Sequence, residues 1–276
     1  MLALCFAALA AAVPAGIKKD VQTLRTSHVR KKVVEAAMRI AGSGDPVALR
    51  QLGDLLTTQE FLARLDVLDD PQRNVTNLSY VLHALKSNPT EATGRLCEAI
   101  ATNPVFLAND DRMMFLLPAL AAVRPMTAGA EAVFRKTNAE GFFNGNGPLL
   151  AANGSERALA LLEEMFADRS QEVEDRVDMA RESIVPNRTK VSIVRMVDTL
   201  WERSVEREVL LALAESIFEY RPDEWFGKVR NPPVAPDWSK APRDARDAAA
   251  ALGRKLSKRA DLPASLRAAI QAVTKS

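Results

Sequence analysis

A chain of 276 residues, 47% hydrophobic and 26% charged, can bury one large core or two modest ones, and its balance excludes wholesale disorder. Two cysteines, with Cys5 inside an apolar leader, leave Cys97 without a lasting partner and exclude a disulfide framework; four Cys/His ligands at metal spacing do not occur, which excludes a Cys/His zinc site. A formal net charge of +2 carries no global demand for nucleic acid.

In chain order, residues 1–16 come first. Leu2 to Val13 is an unbroken apolar run, and Val13-Pro14-Ala15-Gly16 offers the small residues a signal peptidase accepts, with cleavage after Ala15. The run is shorter than the roughly 20 residues of a spanning helix. Lys18 and Lys19 follow it and none precedes it, which works against translocation and keeps a cytoplasmic location as the alternative to a periplasmic or secreted one. A leading basic helix and a partial helical unit fill residues 17–72.

No segment alternates apolar and polar residues with period two, so the chain reads as all-α. Asp45-Pro46, Asp70-Pro71, Asn88-Pro89 and Ala241-Pro242-Arg243-Asp244 read as helix openings, because proline in the first turn forfeits no intrahelical bond. Gly154-Ser155-Glu156 and Arg221-Pro222-Asp223-Glu224 open in the same way. Apolar residues then recur on single faces: Val75, Leu78, Leu82 and Leu85; Leu159, Leu162, Met165 and Phe166; Leu210, Leu213, Ala214 and Ile217.

Helix pairs starting near Arg73, Asp110, Ser155 and Thr189 are 37, 45 and 34 residues apart, the period of an α-solenoid. The long interval holds Gly141-Phe142-Phe143-Asn144-Gly145-Asn146-Gly147, which reads as an inserted loop. Phe115-Leu116-Leu117-Pro118-Ala119-Leu120 resembles the proline-containing first helix of a HEAT-type repeat. Asp175-Arg176-Val177-Asp178-Met179-Ala180 and Arg207-Glu208-Val209-Leu210-Leu211-Ala212 resemble its second helix. The resemblance spans about residues 73–222, and a tetratricopeptide-type repeat is the other helical repeat the spacing admits. It implies a right-handed superhelix of about four helix pairs, with Glu172 to Val185 and Val205 to Tyr220 on the concave side, and a binding scaffold without chemistry of its own. A few HEAT-like frames are enzymes, bilin lyases or DNA glycosylases, and these form the alternative. Residues 223–242 read as a proline-rich tether, and residues 243–276 as a helical hairpin made of Arg243 to Ala260 and Pro263 to Lys275.

The sequence contains no phosphate-binding glycine loop, no His-Glu-x-x-His and no Gly-x-Ser-x-Gly, so it nominates no catalytic, cofactor-binding or metal residues. His28 and His83 read as surface or packed histidines. The carboxylate pairs Asp69-Asp70, Asp110-Asp111, Glu163-Glu164 and Glu174-Asp175 cannot face one another across a substrate, because neighbours on a helix point about 100° apart. They read as helix-opening acids or, for Glu163-Glu164, as a solvated face. Phe142, Phe143, Trp225, Phe226 and Trp238 read as seals on repeat ends, or as partner anchors if exposed. Asn74, Asn77, Asn153 and Asn187 begin glycosylation sequons that chance alone produces at this length.

Charge is unevenly spread: residues 17–41 carry +5, residues 42–226 carry −10 and residues 227–276 carry +7. The plain reading is that basic ends lie on an acidic body, or that the acidic body receives a basic protein partner. Contact with nucleic acid would fall to the ends, especially Arg254, Lys255, Lys258 and Arg259, which lack interleaved aromatics. Expressed with its own leader in a bacterial host, the chain is expected in the periplasm with Gly16 as its first residue by mass spectrometry. An intact cytoplasmic product starting at Met1 sinks the leader reading.

Overall fold

The computed structural model describes residues 14–70, 75–109, 111–219 and 236–275, and among these it is built almost wholly of helices. The chain forms two compact units, Met1–Val123 and Arg124–Ser276. The leader through residue 13, the sequon at Asn74 and most of the tether, with Arg221, Trp225 and Phe226, lie outside the described residues.

The first unit contains α1 (Ala15–Thr26), α2 (Arg30–Ser43), α3 (Pro46–Leu56), α4 (Gln59–Leu65), α5 (Asn77–Ser87), α6 (Glu91–Ala101), α7 (Pro104–Leu107) and α8 (Asp111–Ala122). Its helices pack in two rows: α2 against α5 and α5 against α8 in one, α3 against α6 in the other, with α1 laid on α2. The core follows the sequence pattern closely, with Leu78, Leu82 and Leu85 of α5 fully buried beside Ile40, Leu116 and Leu120. Helix α8 includes Pro118.

Helix openings obey capping chemistry. Asp45 accepts from the amides of Val47 and Ala48 at 3.1 and 2.8 Å ahead of Pro46, as its sequence requires. Asn88-Pro89 instead lies just before the start, where Thr90 takes the cap of α6 from the Thr93 amide at 3.1 Å.

Two expectations are corrected here. Asp70-Pro71 opens no helix: Leu68–Asp70 and Val75–Thr76 form a two-stranded antiparallel ladder, so Val75 is a strand residue rather than the start of a helical face. The backbone amide and side-chain amide of Asn77 both donate to Val67 O at 3.1 Å at the open end of the ladder, and Thr76 caps α5. The stretch is too short for a period-two signal to emerge.

The second unit contains α9 (Ala128–Thr137), a π-type turn (Asn138–Phe142), α10 (Phe143–Asn153), α11 (Glu156–Ala167), α12 (Val173–Ile184), α13 (Val191–Leu200), α14 (Arg207–Phe218), α15 (Arg243–Leu256) and α16 (Ala264–Lys275). Here alternate helices touch: α10 on α12, α12 on α14 and α14 on α16 make one row, while α9, α11, α13 and α15 make the other. The last two helices extend both rows, so the hairpin is seated on its own unit.

Here lies the second correction. The glycine-rich stretch is no inserted loop, because Gly141 at φ +98° turns the chain inside the π-type turn and residues 143–147 are already the first turns of α10. Gly147 is needed for close approach to α12: a Cβ there would lie 2.4 Å from Met179 Cγ and 2.6 Å from Ser183 Oγ, whereas one on Gly145 would meet nothing. Phe143 and Trp238 are buried and Phe142 is partly so, in line with sealing rather than anchoring.

Inside this unit Arg176, 1% exposed, joins three helices. From the first turn of α12 it donates to Phe166 O at the end of α11 (3.1 Å) and to Glu206, the N-cap of α14 (2.7 Å). Hydrogen bonding from Arg176 holds the Glu206 carboxyl down at about 2, against an ordinary 4.5.

Two stability predictions follow from these contacts. Gly147→Ala is expected to lower unfolding stability by about 1–3 kcal/mol in urea titration, while Gly145→Ala is neutral or slightly stabilising. The second concerns acid. A carboxyl with a depressed folded pKa contributes stability above its unfolded value and loses it as pH falls toward the folded one. Wild type should therefore lose more stability than Glu206→Gln between about pH 4.5 and 2; parallel curves would show that Glu206 is not linked to folding.

Candidate interaction surfaces

A helix leaves its last carbonyls without intrahelical donors, and in this chain basic side chains supply many of them. Arg64 donates to Leu24 O and Ser27 O beyond α1, and Arg112 to Val105 O (2.6 Å) and Phe106 O (3.0 Å) in α7 while pairing with Asp66. Arg124 and Lys190 both reach Ala152 O at the end of α10, at 2.5 and 3.1 Å. Arg207 donates to Asp261 O and Arg267 to Ala260 O. These cations are committed to the fold.

Others neutralise acids along the α9–α11 row. Arg135 pairs with Glu131 and Glu164, Arg157 with Glu131, and Arg203 with Glu163 at 2.7 Å. The carboxyl of Glu131 is held below its usual range by Arg157 and then Arg135. Glu163 and Glu164 are thus ion-paired, and Glu163 is largely buried, in place of the solvated pair expected. Burial raises the Glu163 carboxyl even so.

The outward side of α12 and α14 is different. Helix α12 buries Arg176, Met179, Ala180, Ser183 and Ile184, which turns Glu174, Asp178, Arg181 and Glu182 outward. Helix α14, packed beside it, buries Val209, Leu210, Leu213, Ala214 and Ile217 and turns Glu208, Leu211 and Glu215 outward. Arg181 pairs with Asp178 at 3.3 Å, but among the described residues Glu174, Glu182 and Glu208 take no ion pair. The Glu182 carboxyl is raised, first by the packing around it and then by the nearby Asp178 charge. This is a carboxylate-rich face with a deficit of cations.

Clefts open at several places on the described residues. One of about 800 Å³ runs between α3 and α6 over Leu49, Gly53 and Leu96. Its rim polar groups are largely satisfied internally: Arg95 pairs with Glu91, and the Thr57 hydroxyl donates to Asp54 O at 2.7 Å. A cleft of about 380 Å³ beside the π-type turn is lined by Arg135, Asn138 and Gln171, and one of about 360 Å³ lies between α13 and α15 beside Asp198, Asp244 and Asp247.

Among the described residues no three His, Cys, Asp or Glu side chains gather at metal-binding distance, and no helix is long and apolar enough to cross a membrane. His28 and His83 are exposed. Cys97 is fully buried, and burial pushes its thiol up to about 12. Of the four basic residues named for a nucleic-acid contact, Lys255 binds Asp198 (2.7 Å) and Glu202 (2.5 Å), and Arg259 pairs with Asp261 while lying 5.0 Å from the Trp201 ring centroid. Arg254 and Lys258 remain exposed. No protein-family model, curated protein or solved structure matches the chain.

Sequence reasoning counted the acidic excess without locating it. The signal was available in the i, i+4 spacing of Glu174, Asp178 and Glu182, opposite the buried positions of the same helix.

Proposed function

We propose that the chain is a non-catalytic protein-binding scaffold of HEAT-like helix pairs, and that the outward carboxylates of α12 and α14 receive a basic partner. The repeat reading is supported by the two-row packing within each unit, most regularly in the second, where each helix rests on the next but one. The observation that carries the partner reading is the contrast within one unit: Glu131, Glu163 and Glu164 of α9 and α11 are matched by arginines, with only Glu156 at the opening of α11 left over, while Glu174, Glu182 and Glu208 on two adjacent helices are not matched. Like charges crowded on one face raise its affinity for cations without stabilising the fold. Leu211 amid the carboxylates adds an apolar contact of the kind a peptide backbone or aliphatic lysine stem covers. Because the frame presents this face on rigid helices, a partner gains affinity without ordering the scaffold.

The test is titration of the full chain with a fluorescent lysine- and arginine-rich peptide, with an acidic peptide of equal length as control. Binding should be selective for the basic peptide and weaken steeply with salt. The triple variant Asp178→Asn, Glu182→Gln, Glu208→Gln should bind about tenfold more weakly, at roughly 0.5 kcal/mol per exposed charge. Binding should also weaken on acidification, since the Glu182 carboxyl, raised by burial and by the nearby Asp178 charge, loses its charge as the pH falls. Equal affinity of the triple variant sinks the assignment of this face.

A further inference from the structure

The same accounting of charges applied to the first unit leaves a surplus of the opposite sign. Helices α1 and α2 pack as a hairpin. At its tip, residues 25–32 read Arg-Thr-Ser-His-Val-Arg-Lys-Lys, with four Lys or Arg and no acid. Arg25, His28, Arg30, Lys31 and Lys32 are all exposed, and among the described residues none of the four Lys or Arg takes an ion pair. Of the hairpin's acids, Asp20 is buried and taken by Arg39 at 2.8 Å, and the exposed Glu35, one turn beyond Lys31 and Lys32, forms no ion pair with either and acts on Arg39, so the tip keeps a net positive charge.

Two further features single the tip out. Val29, at its apex, is 53% exposed, among the most exposed large hydrophobic side chains of the molecule. The turn is also held in place from beneath, because Arg64 of α4 donates to both Leu24 O and Ser27 O. Helix α2 then opens with Arg30, Lys31 and Lys32, has no acid in its first turn, and no side chain caps it, so free amides point toward the same surface as the cations.

We infer that the α1–α2 tip docks on an anionic lipid bilayer, with Val29 entering the headgroup region and Arg25, Arg30, Lys31 and Lys32 resting against lipid phosphates. An apolar apex ringed by unpaired cations matches such a surface at both levels, in charge and in the apolar layer beneath it. Nucleic acid would use the cations but not the valine, and α1 and α2 contain no Phe, Tyr or Trp on which a base could stack. This surface is independent of the acidic face of the second unit.

The test is co-sedimentation of the full chain with vesicles of phosphatidylcholine alone and of phosphatidylcholine mixed with phosphatidylglycerol. The readout is the gain on the anionic vesicles, which cancels any apolar association common to both. Each cation near an anionic surface contributes roughly fivefold, so Lys31→Glu with Lys32→Glu should reduce the gain at least tenfold. Val29→Ser should reduce it a few-fold, and Val29→Trp should increase it and be quenched by brominated lipid. All three sites are exposed, and an unchanged thermal melt confirms that each variant is folded. The inference is overturned by equal binding to the two vesicle types, by an unaltered gain in the double variant, or by a folded chain that binds an oligonucleotide through these residues and leaves anionic vesicles in solution.

Discussion

The constraint on which this structure most depends is the need to satisfy helix ends in a fold made of short helices and tight turns. Every helix brings up to four carbonyls that its own backbone cannot serve, and where those ends are covered by the next helix, water cannot serve them either. Arg176 is the clearest answer. Its guanidinium is almost wholly buried, yet it is held by the terminal carbonyl of α11 and the capping carboxylate of α14, so one side chain fixes the spacing of three helices. Arg112 has the same role in the first unit, tying α8 to the carbonyls of α7 and to Asp66. Both follow an aspartate at the opening of a helix, Asp111-Arg112 and Asp175-Arg176. At Arg112 a lysine would be no replacement, because the planar fork holds the Asp66 carboxylate through Nε and Nη2 while Nη1 serves the two carbonyls of α7.

This demand sorts the charges. Cations in the middle of the chain are drawn inward to helix ends or into pairs with the acids of α9 and α11, leaving α12 and α14 with an outward surplus of carboxylate. The basic carboxy-terminal region is partly spent as well: Lys255 lies on Asp198 and Glu202 of the α13 end, and Arg259 covers Trp201. At the α1–α2 tip no such use is found. There the cations oppose the helix dipole of α2, each by about 0.3–1 kcal/mol, so the fold gains nothing from Arg30, Lys31 and Lys32 standing where they do.

Much of the architecture is legible in the sequence because helix periodicity and capping are local. The faces of α5, α11 and α14 are buried as their spacing demands, and Asp45-Pro46 starts a helix where it should. Failures occur where a local signal is outvoted. Glycine at 141, 145 and 147 reads as a loop, yet only Gly141 is there for a left-handed backbone, while Gly147 is small because Met179 and Ser183 leave no room. Asp70-Pro71 has the composition of a helix start, but Asn77 closes the preceding backbone into a strand pair. The candidate surfaces were legible only as regional sums. A total of −10 over residues 42–226 cannot separate Glu131, which is bound by two arginines, from Glu182, which is bound by none. That distinction requires knowing which helix end each arginine reaches.

The physical basis for assigning function to these surfaces is the difference between a charge that the fold uses and one it does not. Removing Glu206 would leave Arg176 a buried ion with no other counter-ion among the described residues, held only by Phe166 O, so selection for folding alone can hold that pair in place. Glu182 and Lys31 have no such hold: each is exposed, takes no ion pair among the described residues and has like charge nearby, so exchange for a neutral polar residue changes stability by about 1 kcal/mol or less. A sequence free to vary at these positions would be expected to intersperse the two signs, since mixed surfaces are cheaper to maintain. Instead one unit keeps a run of carboxylates across two helices, and the other keeps a cationic tip against a helix dipole. Neither arrangement is one that folding stability selects, and that is the physical ground for proposing an external partner of opposite charge at each.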